Sequence, residues 1–171
     1  MKLCILGNGL TSLCLAKSLV NKGISIEIFS KKNKIDQDKT RTIGLSKINL
    51  DYFNKEILNI NKFLWKIRSI EIYSDNLKNE KILNFEKKNQ TLFATFRNYE
   101  IYKRLFLSLK NNELCKFKDY KKLNIKDHNL IINCDDKNDF SKKFFFKKLK
   151  KKYNSFAYTT IIKHKSLNNS V

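Results

Sequence analysis

The chain has 171 residues, of which 42% are hydrophobic and 12% aromatic, so it can form one domain with a buried core and is not a disordered tail. The formal net charge is +20, but the excess is nearly all lysine spread along the chain, with only four arginines. A solvated charged surface accounts for this pattern, and nucleic acid is not expected as a partner. No apolar run approaches the about 20 residues that span a bilayer, and no signal peptide is recognised. The sequence therefore predicts a cytoplasmic protein, with peripheral contact at a membrane surface left open.

Cysteine and histidine spacing gives no sign of a metal site. Cys4, Cys14, Cys115 and Cys134 show no CxxC spacing, and His128 and His164 are far from them in sequence. Cysteines scattered in predicted core strands are typical of a reducing compartment. His128 lies in a polar Asp-His-Asn turn and His164 in a Lys-His-Lys run, so both are predicted to be exposed and not catalytic.

The first thirty residues predict a β-turn-α-β unit. Residues 2–6 (KLCIL) form an apolar strand, 7–9 (GNG) a turn, 10–22 a helix with its apolar residues at helical spacing, and 24–29 (ISIEIF) a second strand. Such a unit requires parallel pairing of the two strands and a right-handed crossover between them.

Further elements follow in chain order. A polar loop is predicted at 31–40 and helices at 47–58 and 98–110, the latter from Ile101, Leu105 and Leu109 at four-residue spacing. Strands are predicted at 67–74, 81–86, 91–96, 114–118, 129–134 and 156–163. The strand at 129–134 (NLIINC) has a continuous apolar run at its centre, which is typical of a central parallel strand. The basic and aromatic stretch 140–152 predicts an amphipathic helix that packs on the sheet.

The turn after the first strand carries an incomplete dinucleotide-binding signature. The expected pattern is GxGxxG between a strand and a helix, whose free N–H groups then bind the pyrophosphate. The chain has Gly7, Asn8, Gly9, Leu10, Thr11 and Ser12, with serine in place of the third glycine. The acid expected at the end of the second strand is replaced by Ser30, and Glu27 lies mid-strand. The alternatives are NAD as the nucleotide, or a unit that binds none.

Past this unit, the order of segments resembles the FAD-dependent aromatic hydroxylases, especially the ubiquinone-biosynthesis type. The segments are 41–46 (RTIGLS), 96–101 (FRNYEI), 130–136 (LIINCDD) and 153–165 (YNSFAYTTIIKHK). Within them Arg41, Asn98 and Asp135 match residues that lie near the flavin or contact it in that family. The sequence departs from the family's third motif at Asn133 and Asp136, where glycines are usual, and no counterpart of its later Gly-Asp segment occurs before Val171.

The resemblance implies an α/β fold, a Rossmann-like FAD-binding fold with a parallel sheet plus part of an inserted antiparallel sheet of the substrate domain. Residues 1–171 would be a single truncated FAD-binding domain, with 1–66 and 91–152 as its nucleotide-binding part and 67–90 and 153–171 as strands of the incomplete substrate sheet. It implies FAD as cofactor, NAD(P)H as electron donor, a small aromatic or prenylated-phenol substrate, and a second polypeptide that completes the fold. FAD carries the redox chemistry in such enzymes, so no catalytic side chain is expected.

Two other functions remain open from the sequence. The chain could be a degenerate relative that keeps the fold without catalysis and acts as a scaffold, a reading that the lost glycines favour. It could instead bind nucleic acid or a membrane surface through residues 140–152, where phenylalanines interleave with lysines. Whether this chain alone is an enzyme is undecided at the level of sequence.

Overall fold

A computed structural model of the chain describes residues 2–31, 39–74, 78, 80–86, 90–144, 147, 149 and 151–156. The chain divides into two compact units, one of Met1–Gln37 with Ile101–Thr159 and the other of Asp38–Glu100 with Thr160–Val171. Within the described ranges, no helix is both long and apolar enough to cross a bilayer.

The strands are β1 Leu3–Leu6, β2 Ile26–Ser30, β3 Thr42–Ser46, β4 Trp65–Ile67, β5 Ser69–Ser74, β6 Glu80–Glu86, β7 Phe93–Arg97, β8 Cys115–Asp119 and β9 Leu130–Asn133. The helices are α1 Leu10–Val20, α2 Lys47–Glu56, α3 Asn98–Lys110 and α4 Asp139–Phe144, with short 3-10 turns at Asn61–Phe63, Tyr120–Lys122 and Ile125–Asp127.

The first unit is built on a parallel four-stranded sheet in the order β8-β2-β1-β9. Every residue of β1 and β2 is buried, which explains why both sequences are almost continuously apolar. On one face, Phe106 of α3 packs against Phe117 of β8 with ring centroids 4.9 Å apart. On the other face, Cys4, Leu6 and Phe29 form a cluster, against which partly buried side chains pack: Tyr120, Leu123, Ile131 and Phe140.

The second unit holds antiparallel strands in two separate sheets, β3-β7-β4 and the ribbon β5-β6. Helix α2 begins directly after β3 because Ser46 caps it, its hydroxyl accepting the Asn49 N–H at 3.4 Å. Leu50 and Phe53 of α2 are buried, as are Ala94 and Phe96 of β7.

The ribbon β5-β6 has one apolar and one polar face. Ile70 is paired with Phe85 and Ile72 with Leu83, so these four side chains lie on one face, and all are exposed. The opposite face carries Glu71, which accepts hydrogen bonds from Tyr73 and Lys81. Nothing within the described ranges buries the apolar face of this ribbon.

All four cysteines are free thiols. Cys4 in β1 and Cys115 in β8 are buried, and burial raises the pKa of Cys4 to about 12 and that of Cys115 to about 11. Cys14 lies on α1 and not on a strand; burial raises its pKa to about 11.

The predicted fold class is confirmed: the chain is α/β, with a parallel sheet and separate antiparallel sheets. Helix α3 has the predicted bounds, and the predicted elements from β1 to α2 and from β5 to β9 occur within about two residues of their expected ends. Strand β3, which covers Thr42–Ser46, was not predicted because Gly44 and the flanking polar residues mask its short apolar core.

Two secondary-structure predictions were wrong in part, and a third lies almost entirely outside the described residues. The helix expected over 140–152 ends at Phe144, and the described residues beyond it, 147, 149, 151 and 152, are not helical. Among the described residues, β9 pairs in parallel with β1 alone and lies at the edge of the sheet, not at the centre that its apolar run suggested, and Leu130 is half exposed. Of the strand expected at 156–163, Phe156 is not in a strand and the remainder lies outside the described residues.

Candidate functional site

The carboxyl ends of the parallel strands define the candidate site. β1 ends at Leu6, β2 at Ser30 and β9 at Asn133, and parallel strands bring these ends to one edge of the sheet. The strand order reverses next to β1, because β2 and β8 lie on one side of it and β9 on the other. Ligands of open α/β sheets bind outside the carboxyl ends at such a reversal. The turns that follow β1 and β9 therefore form the candidate site.

Gly7 is required by the conformation of the turn after β1. Its φ is +101°, a region that side chains disfavour, and its N–H donates to the Phe29 carbonyl oxygen at 2.8 Å. A Cβ on Gly7 would lie only 3.0 Å from the Cβ of Asp135 in the turn after β9. The first glycine of the signature thus allows these two turns to approach each other.

Gly9 leaves open space at the amino terminus of α1. It caps the helix with ordinary extended backbone and no side-chain capping bond, and a Cβ added there would meet none of the described residues within 4 Å. The first turn of α1 contains no acidic residue, and its N–H groups lack partners within the helix. Partial positive charge at an unobstructed helix terminus suits an anionic group such as a pyrophosphate.

The other predicted residues of this turn differ in how accessible they are. Asn8 and Leu10 are half-buried and Thr11 is exposed. Ser12 is fully buried, with its Oγ 3.4 Å from the position of a Cβ on Gly7, and this Oγ has no hydrogen-bond partner among the described residues. Ser30, at the end of β2, is buried too.

The turn after β9 is closed by hydrogen bonds between short polar side chains. Asn133 donates from Nδ2 to the Ser141 Oγ at 2.6 Å, and that hydroxyl donates to the Asp135 carbonyl oxygen at 2.6 Å. Asn138 donates to Asn133 Oδ1 at 2.8 Å and caps α4 by accepting the Ser141 N–H at 2.7 Å.

The Asp135 carboxylate takes part in the same turn. Its Oδ1 accepts the Lys137 N–H at 2.9 Å, which is an Asx-turn. Asp136 is exposed, so its negative charge is solvated. These side-chain hydrogen bonds thus fix the turn after β9, which contains no glycine.

Arg41 and Asn98 lie in the second unit, next to each other. The Asn98 N–H donates to the Arg41 carbonyl oxygen at 2.9 Å, which extends the pairing of Thr42 with Arg97 between β3 and β7. Asn98 begins α3, and its side-chain Oδ1 is buried without a hydrogen-bond partner among the described residues. The structure brings these two residues together, and in the first unit it likewise brings Gly7 close to both Ser12 and Asp135.

Glu27 is the centre of a buried ion cluster. Its Oε1 lies 2.7 Å from Lys118 Nζ and 3.3 Å from Lys2 Nζ, and its Oε2 lies 3.0 Å from His128 Nε2. Burial by itself would raise the pKa of this carboxyl, but hydrogen bonds from Lys118, His128 and Lys2 outweigh burial and lower it to about 2. Glu27 is thus held as a carboxylate by side chains from three other segments.

The prediction that His128 is exposed was wrong: 2% of its side chain is accessible. Its ring packs edge-on against Phe29, and its Nδ1 lies 3.0 Å from the Asn124 carbonyl oxygen. Both ring nitrogens of His128 therefore face oxygen atoms, one from the Asn124 carbonyl group and one from the Glu27 carboxylate. The polar sequence around His128 concealed this burial, because its partner Glu27 is distant in sequence. His164 lies outside the described residues.

Sequence reasoning missed Asn138 and the role of Asn133 as a turn-forming side chain. Both lie in the run Asn-Cys-Asp-Asp-Lys-Asn-Asp, whose density of Asn and Asp is itself a signal for side chain to backbone hydrogen bonds. No group of three or more His, Cys, Asp or Glu side chains that could hold a metal occurs in the part of the chain that the structure describes.

Comparison with known proteins establishes the fold. The chain resembles p-nitrophenol 4-monooxygenase PnpA from Pseudomonas putida DLL-E4 with a TM-score of 0.57 at 11% identity, covering 68% of this chain and 31% of that one. It resembles pqsL, a probable FAD-dependent monooxygenase from Pseudomonas aeruginosa, with a TM-score of 0.54 at 14% identity, covering 70% and 32%. It also resembles 2,6-dihydroxypyridine-3-hydroxylase from Arthrobacter nicotinovorans, with a TM-score of 0.50 at 15% identity, covering 68% and 28%.

These similarities are of fold, and the chain spans about a third of the length of the structures it matches. No protein-family model and no curated protein matches the sequence.

Proposed function

We propose that the chain is the FAD-binding part of a flavin-dependent monooxygenase that hydroxylates an aromatic substrate. The observation that carries this proposal is the unobstructed amino terminus of α1 behind Gly9, at the strand reversal of a fold shared with such monooxygenases. An α1 terminus without an acidic residue or a side-chain cap fits the pyrophosphate of a dinucleotide.

The chain's own residues would bind and orient the cofactor. The pyrophosphate would meet the turn Gly7–Ser12 and the first N–H groups of α1, and Ser30 would lie toward the ribose. Arg41, Asn98 and Asp135 are assigned to the cofactor by resemblance alone. FAD, when bound, supplies the redox chemistry with NAD(P)H as the proposed electron donor, and no side chain of this chain is proposed as an acid, base or nucleophile.

A prenylated phenol of the ubiquinone-precursor kind is the substrate that the order of segments favours. Support for a larger assembly comes from the exposed apolar face of the β5-β6 ribbon, formed by Ile70, Ile72, Leu83 and Phe85. Apolar faces of this kind are covered in stable proteins. We propose that a second polypeptide, or more of the same fold, completes the substrate sheet there, and that the protein works in the cytoplasm.

A scaffold without FAD is the second candidate, and specific observations favour it. Ser12 is fully enclosed where the third glycine would be, and Glu27 is engaged by Lys2, Lys118 and His128. The turn after β9 is held by its own side chains, which in this reading would be the remnant of a cofactor-binding turn.

Binding of FAD to the purified chain, followed by quenching of flavin fluorescence and by thermal shift, separates the two candidates. Saturable micromolar binding is expected. Gly9→Asp should weaken it by at least about tenfold through repulsion of the pyrophosphate, while α1 stays folded because aspartate is a favoured N-cap residue. The matched control is Ser25→Asp, which adds the same charge at an exposed position before β2, at the opposite edge of the sheet.

Each outcome decides between the candidates. Loss of binding in Gly9→Asp with retention in Ser25→Asp supports the proposed site. Equal weakening of both variants would place the binding elsewhere and refute it. A folded wild-type chain that does not bind FAD even at high concentration would refute cofactor binding by this chain and leave the scaffold.

A further inference from the structure

The stretch that follows α4 exposes apolar and basic side chains together. Between Phe140 and Phe156 the sequence has seven lysines and no acidic residue. Among its described residues, four large apolar side chains are exposed to an unusual degree: Phe144 at 52%, Leu149 at 106%, Tyr153 at 71% and Phe156 at 85%. The described lysines of the stretch are all exposed: Lys142, Lys143, Lys147, Lys151 and Lys152. We refer to these nine residues as the basic-apolar segment.

The first turn of this stretch is fixed to the parallel-sheet unit. Phe140 packs against the cluster of Cys4, Leu6 and Phe29, and Ser141 is buried within the hydrogen bonds of the turn after β9. The ring of Phe144 packs against that of Phe140 with centroids 4.5 Å apart, yet half of Phe144 remains in solvent. The basic-apolar segment therefore begins from an anchored helix and carries its apolar side chains outward.

Lysines and rings alternate closely enough to contact one another. Lys143 Nζ lies 5.5 Å from the Phe144 ring centroid, and Lys151 Nζ lies 5.2 Å from that of Tyr153. Such cation–π contacts leave the ammonium groups solvated and the rings largely exposed. The segment therefore exposes apolar surface to water, which is unfavourable, and this surface is surrounded by charged lysines.

An anionic lipid surface satisfies both properties at once. Phenylalanine, leucine and tyrosine enter the boundary between headgroups and acyl chains, while lysines reach the phosphates and keep their stems in the apolar layer. Nucleic acid fits less well, because Leu149, the most exposed apolar side chain, cannot stack on a base and the segment has no arginine.

We propose that the basic-apolar segment is a docking site for an anionic membrane surface. The proposal does not depend on FAD binding. The segment would bind the parallel-sheet unit to the lipid headgroups. Its four apolar side chains would insert into the boundary between headgroups and acyl chains, and the lysines would contact the phosphates around them.

Cosedimentation with vesicles of phosphatidylcholine alone, or mixed with phosphatidylglycerol, tests this with the full chain. Binding to the mixed vesicles is expected to exceed binding to phosphatidylcholine by at least about tenfold and to weaken with salt. One variant replaces the apolar side chains by serine, at Phe144, Leu149, Tyr153 and Phe156. A second replaces the lysines by glutamine, at Lys142, Lys143, Lys147, Lys151 and Lys152. A matched control replaces five exposed lysines elsewhere by glutamine: Lys22, Lys62, Lys66, Lys103 and Lys110.

The lysine variant should lose at least about a hundredfold in affinity and the apolar variant at least about tenfold, while the control changes by less than about threefold. Circular dichroism checks that each variant is folded. Equal losses in the lysine variant and the control would show general attraction to a highly basic chain and overturn the proposal. An unchanged apolar variant would also overturn it. Tighter binding of a single-stranded RNA oligomer than of the mixed vesicles, lost in the lysine variant, would assign the segment to nucleic acid instead.

Discussion

Replacing Glu27 by glutamine should destabilise the first unit although the shape of the side chain is kept. The Glu27 carboxylate accepts from Lys118, Lys2 and His128, and its side chain is only 8% exposed. An amide offers one accepting oxygen where the carboxylate offers two, and its nitrogen would face a donor. Glu27→Gln therefore leaves a buried donor without an acceptor.

The magnitude follows from the pKa of the carboxyl group. Its drop from the ordinary 4.5 to about 2 corresponds to roughly 3 kcal/mol of stabilisation at neutral pH. Lys2 and Lys118 have side chains 44% and 35% exposed, so solvent screens part of their attraction. We expect Glu27→Gln to lower the free energy of unfolding by about 2 kcal/mol.

The effect depends on pH with a defined sign. The pKa of Glu27 is lower in the folded chain than in the unfolded one, so its stabilisation is fully present above about 4.5 and is lost as pH falls toward about 2. The difference in unfolding free energy between wild type and Glu27→Gln should therefore narrow across that range, since the variant has no carboxyl to protonate.

Urea unfolding followed by circular dichroism, at neutral pH and at several values below it, measures both quantities. The matched control is Glu71→Gln, which breaks an exposed ion pair with Lys81 on the β5-β6 ribbon and should have no measurable effect. A cost of Glu27→Gln no larger than that of the control, or a difference that stays constant as pH falls, would refute the reasoning.

Three other substitutions test the turns and the antiparallel sheet. Gly7→Ala should lower the free energy of unfolding by about 2–3 kcal/mol, because φ is +101° and the new Cβ would crowd the turn after β9. Gly9→Ala should lower it far less, because its Cβ would meet none of the described residues. Chemical denaturation measures both values, and equal losses would contradict the special conformation of Gly7. Ser141→Ala should cost about 1–3 kcal/mol by removing the hydroxyl that bridges that turn, and an unchanged melting temperature would count against the network. Gly44→Ala should cost about 1–3 kcal/mol, because the new Cβ would lie 2.0 Å from the Phe93 ring, and this cost should largely vanish in a Phe93→Ala background, as a double-mutant cycle would show.

Much of the local structure could be predicted from the sequence because it depends on local patterns. The alternation of apolar runs with turn residues located β1, α1 and β2, and four-residue spacing located α3. The stretch after Asp139 was predicted as a long helix because its aromatic residues have helical spacing, but α4 ends at Phe144. Spacing alone does not make a helix stable, because tertiary burial is what stabilises most protein helices. The described residues beyond Ser141, which are 142–144, 147, 149 and 151–156, are all exposed.

The candidate site shows the same division. Gly7 and Gly9 were identifiable because a glycine pair between a strand and a helix has a known physical role. The sequence alone could not indicate that Asn133, Asn138 and Ser141 would form the turn after β9, since each uses a partner several residues away in a loop of no regular structure. The proximity of Gly7 to Asp135 is likewise set by the strand order and not by their neighbours in the chain.

The sequence by itself determined the α/β class, the βαβ beginning and the weak nucleotide signature, because hydrophobic period and turn chemistry act over a few residues. Tertiary structure alone decided that β9 lies at the edge of the described sheet and that Glu27 meets Lys118 and His128, 91 and 101 residues away. The physical reason is that parallel pairing joins distant segments: register and burial then select the partners of a charged side chain, and nothing near Glu27 or His128 in the sequence carries that information.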